Sequence, residues 1–222
     1  MPPVVVAVPR TMTPEGMMEL TAALRAAADT AIVLAGAGSA FCLGADLKWL
    51  GSLADPGHGV AALVHEHHAA VRAIRNAPVP VLAAVNGAAA GGGMSLALAA
   101  DMVVAGPGAG FTAAYFRLGL TPDGGNSAFL RGRAMELLLT NRTLRGAEAV
   151  EWGLAAEVAD DPLARACEVA ASFEAVPGET LRTSRRLLMP DLEARLDAEE
   201  EAVSAAAQRP EFSRALATFL AL

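Results

Sequence analysis

Apolar residues along this chain fall either in short unbroken runs or at helical spacing. Residues 4–8 (VVVAV) form such a run, closed by Pro9, which predicts a strand. Thr13-Pro14-Glu15 then carries the marks of a helix start: a hydroxyl N-cap, proline in the first turn and an acid behind it. Met17, Leu20, Ala23 and Leu24 continue at helical spacing. Runs 31–35 (AIVLA) and 79–85 (VPVLAAV) are apolar throughout, the pattern of strands covered on both faces in a parallel sheet. Between them, 61–76 reads as a helix with Leu63, His67, Val71 and Ile74 near one face, ended by Pro78 and Pro80. Gly91-Gly92-Gly93 leads into a helix over 94–100, followed by a strand at 102–105 and helices over 124–139 and 147–151. Residues 162–219 predict helix, broken at Pro177-Gly178 and Met189-Pro190. Alternating strands and helices with an all-helical tail predict an α/β fold.

The composition fits one globular domain with a small appendage. The chain has 222 residues, 54% hydrophobic and only 18% charged, which excludes disorder. A net charge of −7 argues against nucleic acid or an anionic membrane as partner. Two cysteines, Cys42 and Cys167, supply neither a disulfide framework nor metal-ligand spacing and suit a reducing, cytoplasmic setting. The first ten residues lack the charged and apolar regions of a signal peptide. The long uncharged stretch 77–100 contains two prolines, an asparagine and four glycines, and reads as core and loops rather than a membrane span.

Candidate chemistry concentrates in two small-residue loops, 40–47 (AFCLGADL) and 86–93 (NGAAAGGG). Such loops either make tight turns or bring main-chain N–H groups up to a ligand oxygen. Asp123, in LGLTPDGG (118–125), is either the cap of the following helix or an acid–base group. His65, His67 and His68 read as a half-solvated helix face, with a site role for His68 or a metal as rarer outcomes. Lys48 either faces solvent or meets an anion. Asp46 and Asp101 read as loop and helix-end supports, Arg131 and Arg133 as subunit contacts, and 199–201 (EEE) as a solvated face.

The blocks GAGSAFCLGADL, PVPVLAAVNGAAAGGGMSLALAADMVVAG, the Asp123 loop and AMELLLTNRTLRGAEAVEWGLAAEV, in that order, resemble the crotonase (enoyl-CoA hydratase/isomerase) superfamily from Ile32 to Phe219. The resemblance implies a spiral ββα core (1–160), a helical trimerisation segment (161–222), a homotrimer or dimer of trimers, and acyl-CoA thioester substrates. Coenzyme A enters only as part of the substrate; no metal or redox cofactor is implied. It maps an oxyanion hole onto the N–H groups of Ala45 and Gly92, and substrate contacts onto Leu43, Lys48, Tyr115 and His68. Relative to the family, the head lacks an opening hairpin and the tail ends early, so part of the acyl pocket or of the CoA cover is expected to be either missing or supplied by a neighbouring subunit.

The two glutamates of the family's hydratases fall on Ser95 and Tyr115, neither of which exchanges protons as a carboxylate does near neutral pH. Asp123 stands where isomerases of the family carry their lone acid, which implies a 1,3-proton shift through a thioester enolate. A competing resemblance is to 4-chlorobenzoyl-CoA dehalogenases, with an Asp nucleophile here, Tyr115 in place of a Trp eight residues earlier, and His68 eighteen residues before Asn86. Hydratase-like lyase chemistry and a non-catalytic scaffold subunit complete the alternatives.

Overall fold

A computed structural model describes residues 2–27, 29–173 and 175–221, with Arg131 through its backbone alone. Strands β1 (Val4–Val8), β2 (Ile32–Gly36), β4 (Val81–Val85), β6 (Met102–Ala105) and β9 (Glu157–Val158) form a parallel sheet in the order β1-β2-β4-β6-β9. A second sheet has the order β3-β5-β7-β8, from Ala40–Cys42, Ala88–Ala90, Gly110–Thr112 and Thr143–Arg145. Only β7–β8 is antiparallel there. The pairs β2–β3, β4–β5 and β6–β7 each lay one strand in the first sheet and the next in the second, which is the α/β, spiral ββα architecture with C-terminal helices.

Helices α1 (Pro14–Ala26), α2 (Leu47–Ser52), α3 (Pro56–Asn76) and α4 (Gly92–Leu98) belong to this core. Every residue of β4 is buried. One face of the first sheet meets α8 (Pro162–Ser172), where Val33, Leu82, Ala84 and Val104 pack against Ala166 and Ala170. Strands covered on both faces need no polar alternation, which is why β2 and β4 are unbroken apolar runs.

The expected helix over 124–139 is instead three pieces: α5 (Asn126–Phe129), a 3-10 turn (Arg131–Arg133) and α6 (Ala134–Thr140). Gly124 and Gly125 have φ of +65° and +87°, so helix cannot begin before residue 126. The helix α7 (Gly146–Glu151) follows β8. The tail holds α9 (Gly178–Leu188), α10 (Leu192–Ala207) and α11 (Pro210–Leu220), with one more break, before Pro210, than the sequence predicts.

Asp46 caps α2 by accepting the Trp49 N–H at 2.9 Å, and Asp101 accepts the Val81 N–H at 2.9 Å, as expected of supports. Asp101 also binds Arg185 of α9, whose Nε lies 2.7 Å from Oδ1. The same guanidinium donates to the carbonyls of Arg75, Ala77 and Val79, which fastens α9 over the α3–β4 connection. The Arg133 guanidinium stacks 3.5 Å above the Trp152 ring, while the Arg131 side chain lies outside the described residues. Among the described residues, no helix is long and apolar enough to cross a membrane.

Candidate active site

Glycine brings the two loops together. Gly44 has φ +80°, and a Cβ there would stand 2.7 Å from the Ala90 carbonyl oxygen and 3.6 Å from the Gly92 nitrogen. Gly91, at φ +53°, turns β5 into α4 and donates its own N–H to the Thr112 carbonyl. Among the described residues, no backbone carbonyl accepts the N–H of Ala45 or of Gly92. Gly92 opens a helix, where the first N–H groups have no partner within the helix. Both residues line a cavity of about 370 Å³, together with Leu43, His67, Tyr115 and Asp123. The remaining wall is largely apolar and includes Leu50, Leu63, Leu118, Leu120 and Phe219.

Asp123 is not a helix cap. The residue preceding α5 is Gly125, and among the described residues the carboxylate accepts no backbone N–H. Its Oδ1 instead accepts the Tyr115 hydroxyl proton at 2.7 Å. Tyr115 opens a 3-10 turn (Tyr115–Leu118) after Ala114, whose left-handed φ of +64° is held by the Asn141 side chain accepting its N–H at 2.9 Å. Asn126 donates to the Tyr115 oxygen at 2.8 Å and to Ser95 Oγ at 3.0 Å. Burial pushes the Asp123 carboxyl up to about 6, and the Tyr115 hydrogen bond offsets part of that rise. With α5 only four residues long and its leading amides used elsewhere, the helix end does not reverse the effect of burial.

The histidine cluster is split rather than half-solvated. His65 is exposed, with Nδ1 3.2 Å from Glu200 Oε1. His67 and His68 are both fully buried. His67, not His68, lines the cavity, with its Nδ1 3.7 Å from Asp123 Oδ1. Burial holds His67 at about 4 and His68 at about 3, so both rings are neutral near pH 7 and His67–Asp123 is not an ion pair there. His68 Nε2 accepts the Gly124 N–H at 2.9 Å, which corrects the expectation that His68 contacts substrate. One donor atom each from His67, His68 and Asp123 lies within 4.8 Å of the others, though His68 Nε2 is already engaged by Gly124.

Lys48 is exposed on the first turn of α2 and is not among the residues lining the cavity, which leaves both readings of it open. One further expectation changes. Glu199, read as part of a solvated face, is 6% exposed and accepts the N–H groups of Gly125 at 2.6 Å and Ser127 at 2.9 Å. Its signal was present: Leu192, Leu196 and Val203, all buried, put position 199 on the apolar stripe of α10. Likewise His67 shares its helix face with Leu63, Val71 and Ile74. Cys42 is no nucleophile in this setting, since burial pushes its thiol up to about 11.

Residues 8–215 match the enoyl-CoA hydratase/isomerase family. A probable enoyl-CoA hydratase of Mycobacterium tuberculosis is 38% identical over 225 residues, covering 90% of this chain and 86% of that protein. The 4-chlorobenzoyl coenzyme A dehalogenase-1 of an Arthrobacter species is 33% identical over 208 residues, 85% and 73% of the two chains. The 1,2-epoxyphenylacetyl-CoA isomerase of Escherichia coli is 40% identical over 140 residues, 59% and 52% of the two. In structure, the chain is similar to an enoyl-CoA hydratase from Mycobacterium avium subsp. paratuberculosis, with a TM-score of 0.85, 31% identity and coverage of 96% and 93%.

Proposed function

Because this chain belongs to the enoyl-CoA hydratase/isomerase family, we propose that it is an isomerase of acyl-CoA thioesters that moves a double bond through a thioester enolate. The observation that carries the reading is Asp123: a buried carboxyl raised to about 6, in one cavity with Ala45 and Gly92, whose N–H groups have no backbone acceptor among the described residues. Those two N–H groups receive the thioester oxygen. Asp123 takes a proton from C2, the negative charge moves onto that oxygen, and the protonated acid delivers the proton to C4. A carboxyl that titrates near 6 is ionised enough at pH 7 to act as base and basic enough to hold the proton it receives. Ser95 and Tyr115, at the positions of the hydratase glutamates, supply no second carboxylate to activate water.

Leu43 and Tyr115 contribute wall to the acyl site, and Lys48, from its exposed position, meets a phosphate of coenzyme A. The helical tail forms the contacts of a homotrimer or dimer of trimers, read out by sedimentation equilibrium. The function is tested by C2-deuterium exchange in butenoyl-CoA and phenylacetyl-CoA and by double-bond migration in butenoyl-CoA, comparing the parent with Asp123→Asn. Loss of both in the variant, with thioester affinity kept, supports the reading; equal rates in the two proteins overturn it.

A second reading has Asp123 as nucleophile toward an aryl-CoA. The Tyr115 hydroxyl aimed at its carboxylate favours this, since it occupies the place expected of the dehalogenase Trp. Against it, His68 is turned to Gly124 and leaves the cavity to His67. Halide release from 4-chlorobenzoyl-CoA distinguishes the two.

A further inference from the structure

The loop bearing Asp123 has no regular structure of its own. Its next two residues are left-handed glycines, and α5 begins only at Asn126. Three of its amide protons are nevertheless bound, each by a side chain distant in sequence. Gly124 donates to His68 of α3, and Gly125 and Ser127 donate to the two oxygens of Glu199 from α10. Both acceptor side chains are buried. A buried carboxylate with two short N–H donors is a strong anchor, because hydrogen bonds to an ionised acceptor are about twice as strong as neutral ones.

We propose that Glu199 is the positioning residue of the site: by gripping the Gly125 and Ser127 amides it fixes where the Asp123 carboxylate stands opposite the Ala45 and Gly92 amides. The proposal rests on the reading of Asp123 as the proton carrier. His68 adds the third tie, and accepts the Gly124 proton only while its Nε2 is unprotonated. Burial keeps it so, aided by the positive charge of Arg72 nearby.

The charged and titratable groups around this anchor come from four segments. From α3 come His67, His68 and Arg72; from the 3-10 turn at 115–118 comes Tyr115; from the loop itself comes Asp123. From α10, Arg195 reaches the Ser127 carbonyl at 3.3 Å, and Glu200 faces His65 and His68. Within this set Glu199 and Asp123 are like charges, and burial together with Asp123 raises the proton affinity of Glu199. Glu199 acts on Asp123 through the backbone of the loop that carries it.

Glu199→Gln removes the charge at nearly constant shape and turns an amide donor toward one of the two N–H groups. Glu199→Asp keeps the charge but shortens the reach, and serves if the Gln variant does not fold. Two measurements need no substrate: the pH at which the Asp123 carboxyl carbon titrates by NMR, and the hydrogen exchange of the Gly125 and Ser127 amides. In both variants Asp123 is expected to titrate away from the parent's value, and the two amides exchange faster. The rate of C2-deuterium exchange falls roughly 10–10²-fold, the scale of a misplaced reacting group, with KM within threefold. An unmoved Asp123 titration with unchanged amide exchange overturns the positioning role, whatever the activity. If both move as expected but Asp123→Asn turns over as fast as the parent, the anchor stands and the proton-carrier reading falls.

Discussion

The hydroxyl of Tyr115 donates a 2.7 Å hydrogen bond to Oδ1 of Asp123, and the same hydroxyl accepts the Asn126 side-chain proton at 2.8 Å. The bond orients the carboxylate and stabilises its charged form, while burial raises its proton affinity. The outcome is a carboxyl held at about 6, well above the ordinary carboxylate range.

Tyr115→Phe should therefore move Asp123 upward from about 6, because the hydrogen bond that favours the anion is lost while burial stays. The acid limb of the rate–pH profile shifts to higher pH. Asn126 also loses an acceptor, so stability falls by about 1–2 kcal/mol, the scale of an unmade buried hydrogen bond. A pH–rate profile and urea denaturation check the two halves.

Asp123 weakens the fold near neutral pH. Its folded-state affinity for a proton exceeds that of the unfolded chain, so its contribution is complete below about 4 and is lost as pH rises through about 6. Asp123→Asn removes that loss. The variant should gain about 2 kcal/mol on the parent between pH 4.5 and pH 7.5, because the parent must give up in that interval a proton that its fold holds more tightly than the unfolded chain does. His67 and His68 have the opposite sign: their contribution is complete above about 6.5 and is lost as pH falls through about 4 and 3. Guanidinium unfolding at the two pH values reads the difference; an equal effect at both overturns it.

Crotonyl-CoA should not be hydrated at a rate in the usual enzymatic range of roughly 1–10³ per second. Ser95 Oγ is drawn into hydrogen bonds with the Asp123 carbonyl and the Tyr115 hydroxyl, and neither side chain is a carboxylate. Loss of the enoyl absorbance at micromolar enzyme measures it directly.

Gly44→Ala should cost both rate and stability. A methyl group there meets the Ala90 carbonyl oxygen at 2.7 Å, and φ of +80° disfavours any side chain. The strand end carrying Ala90 must yield, and the Ala45 and Gly92 amides move apart. A loss of about 2 kcal/mol or more in stability and of order 10²-fold in exchange rate is expected, the latter on the scale of losing one oxyanion donor.

Arg185→Leu should destabilise without altering chemistry in the molecules that fold. It leaves the Asp101 charge and the carbonyls of Arg75, Ala77 and Val79 without their shared donor. A cost of about 1–3 kcal/mol follows for leaving the buried carbonyls without a donor, while the Asp101 carboxylate stays in reach of water. Activity per active site, titrated with a tight thioester analogue, should stay within twofold of the parent.

Unbroken apolar runs made β1, β2, β4 and β6 readable from sequence; for the inner strands the cause is burial on both faces, whereas β1 is an edge strand whose Val4 and Val5 are exposed. The second sheet was not readable. Its strands have only three residues each, and Ala88–Ala90 has neither β-branching nor alternation to separate it from a turn. The helix expected after Asp123 failed at two glycines whose left-handed angles come from the ties on their amides, and those ties come from distant helices. Asp123, Ala45 and Gly92 were legible as candidates because their loops are distinctive. Of the neighbours that set their environment, His67 and Glu199 each sat visibly on an apolar stripe, but which loop each would face is a matter of packing.

The reach from Gly125 to Glu199, 74 residues along the chain, also has a consequence in time. At elongation speeds of about 5–20 residues per second, a ribosome needs roughly 4–15 s to pass from one to the other. Throughout that interval the nascent Asp123 loop lacks its α10 buttress, and the Gly125 and Ser127 amides have no Glu199 to bind. The buried setting of Asp123 is completed only when α10 docks, and not when the loops that line the cavity are made.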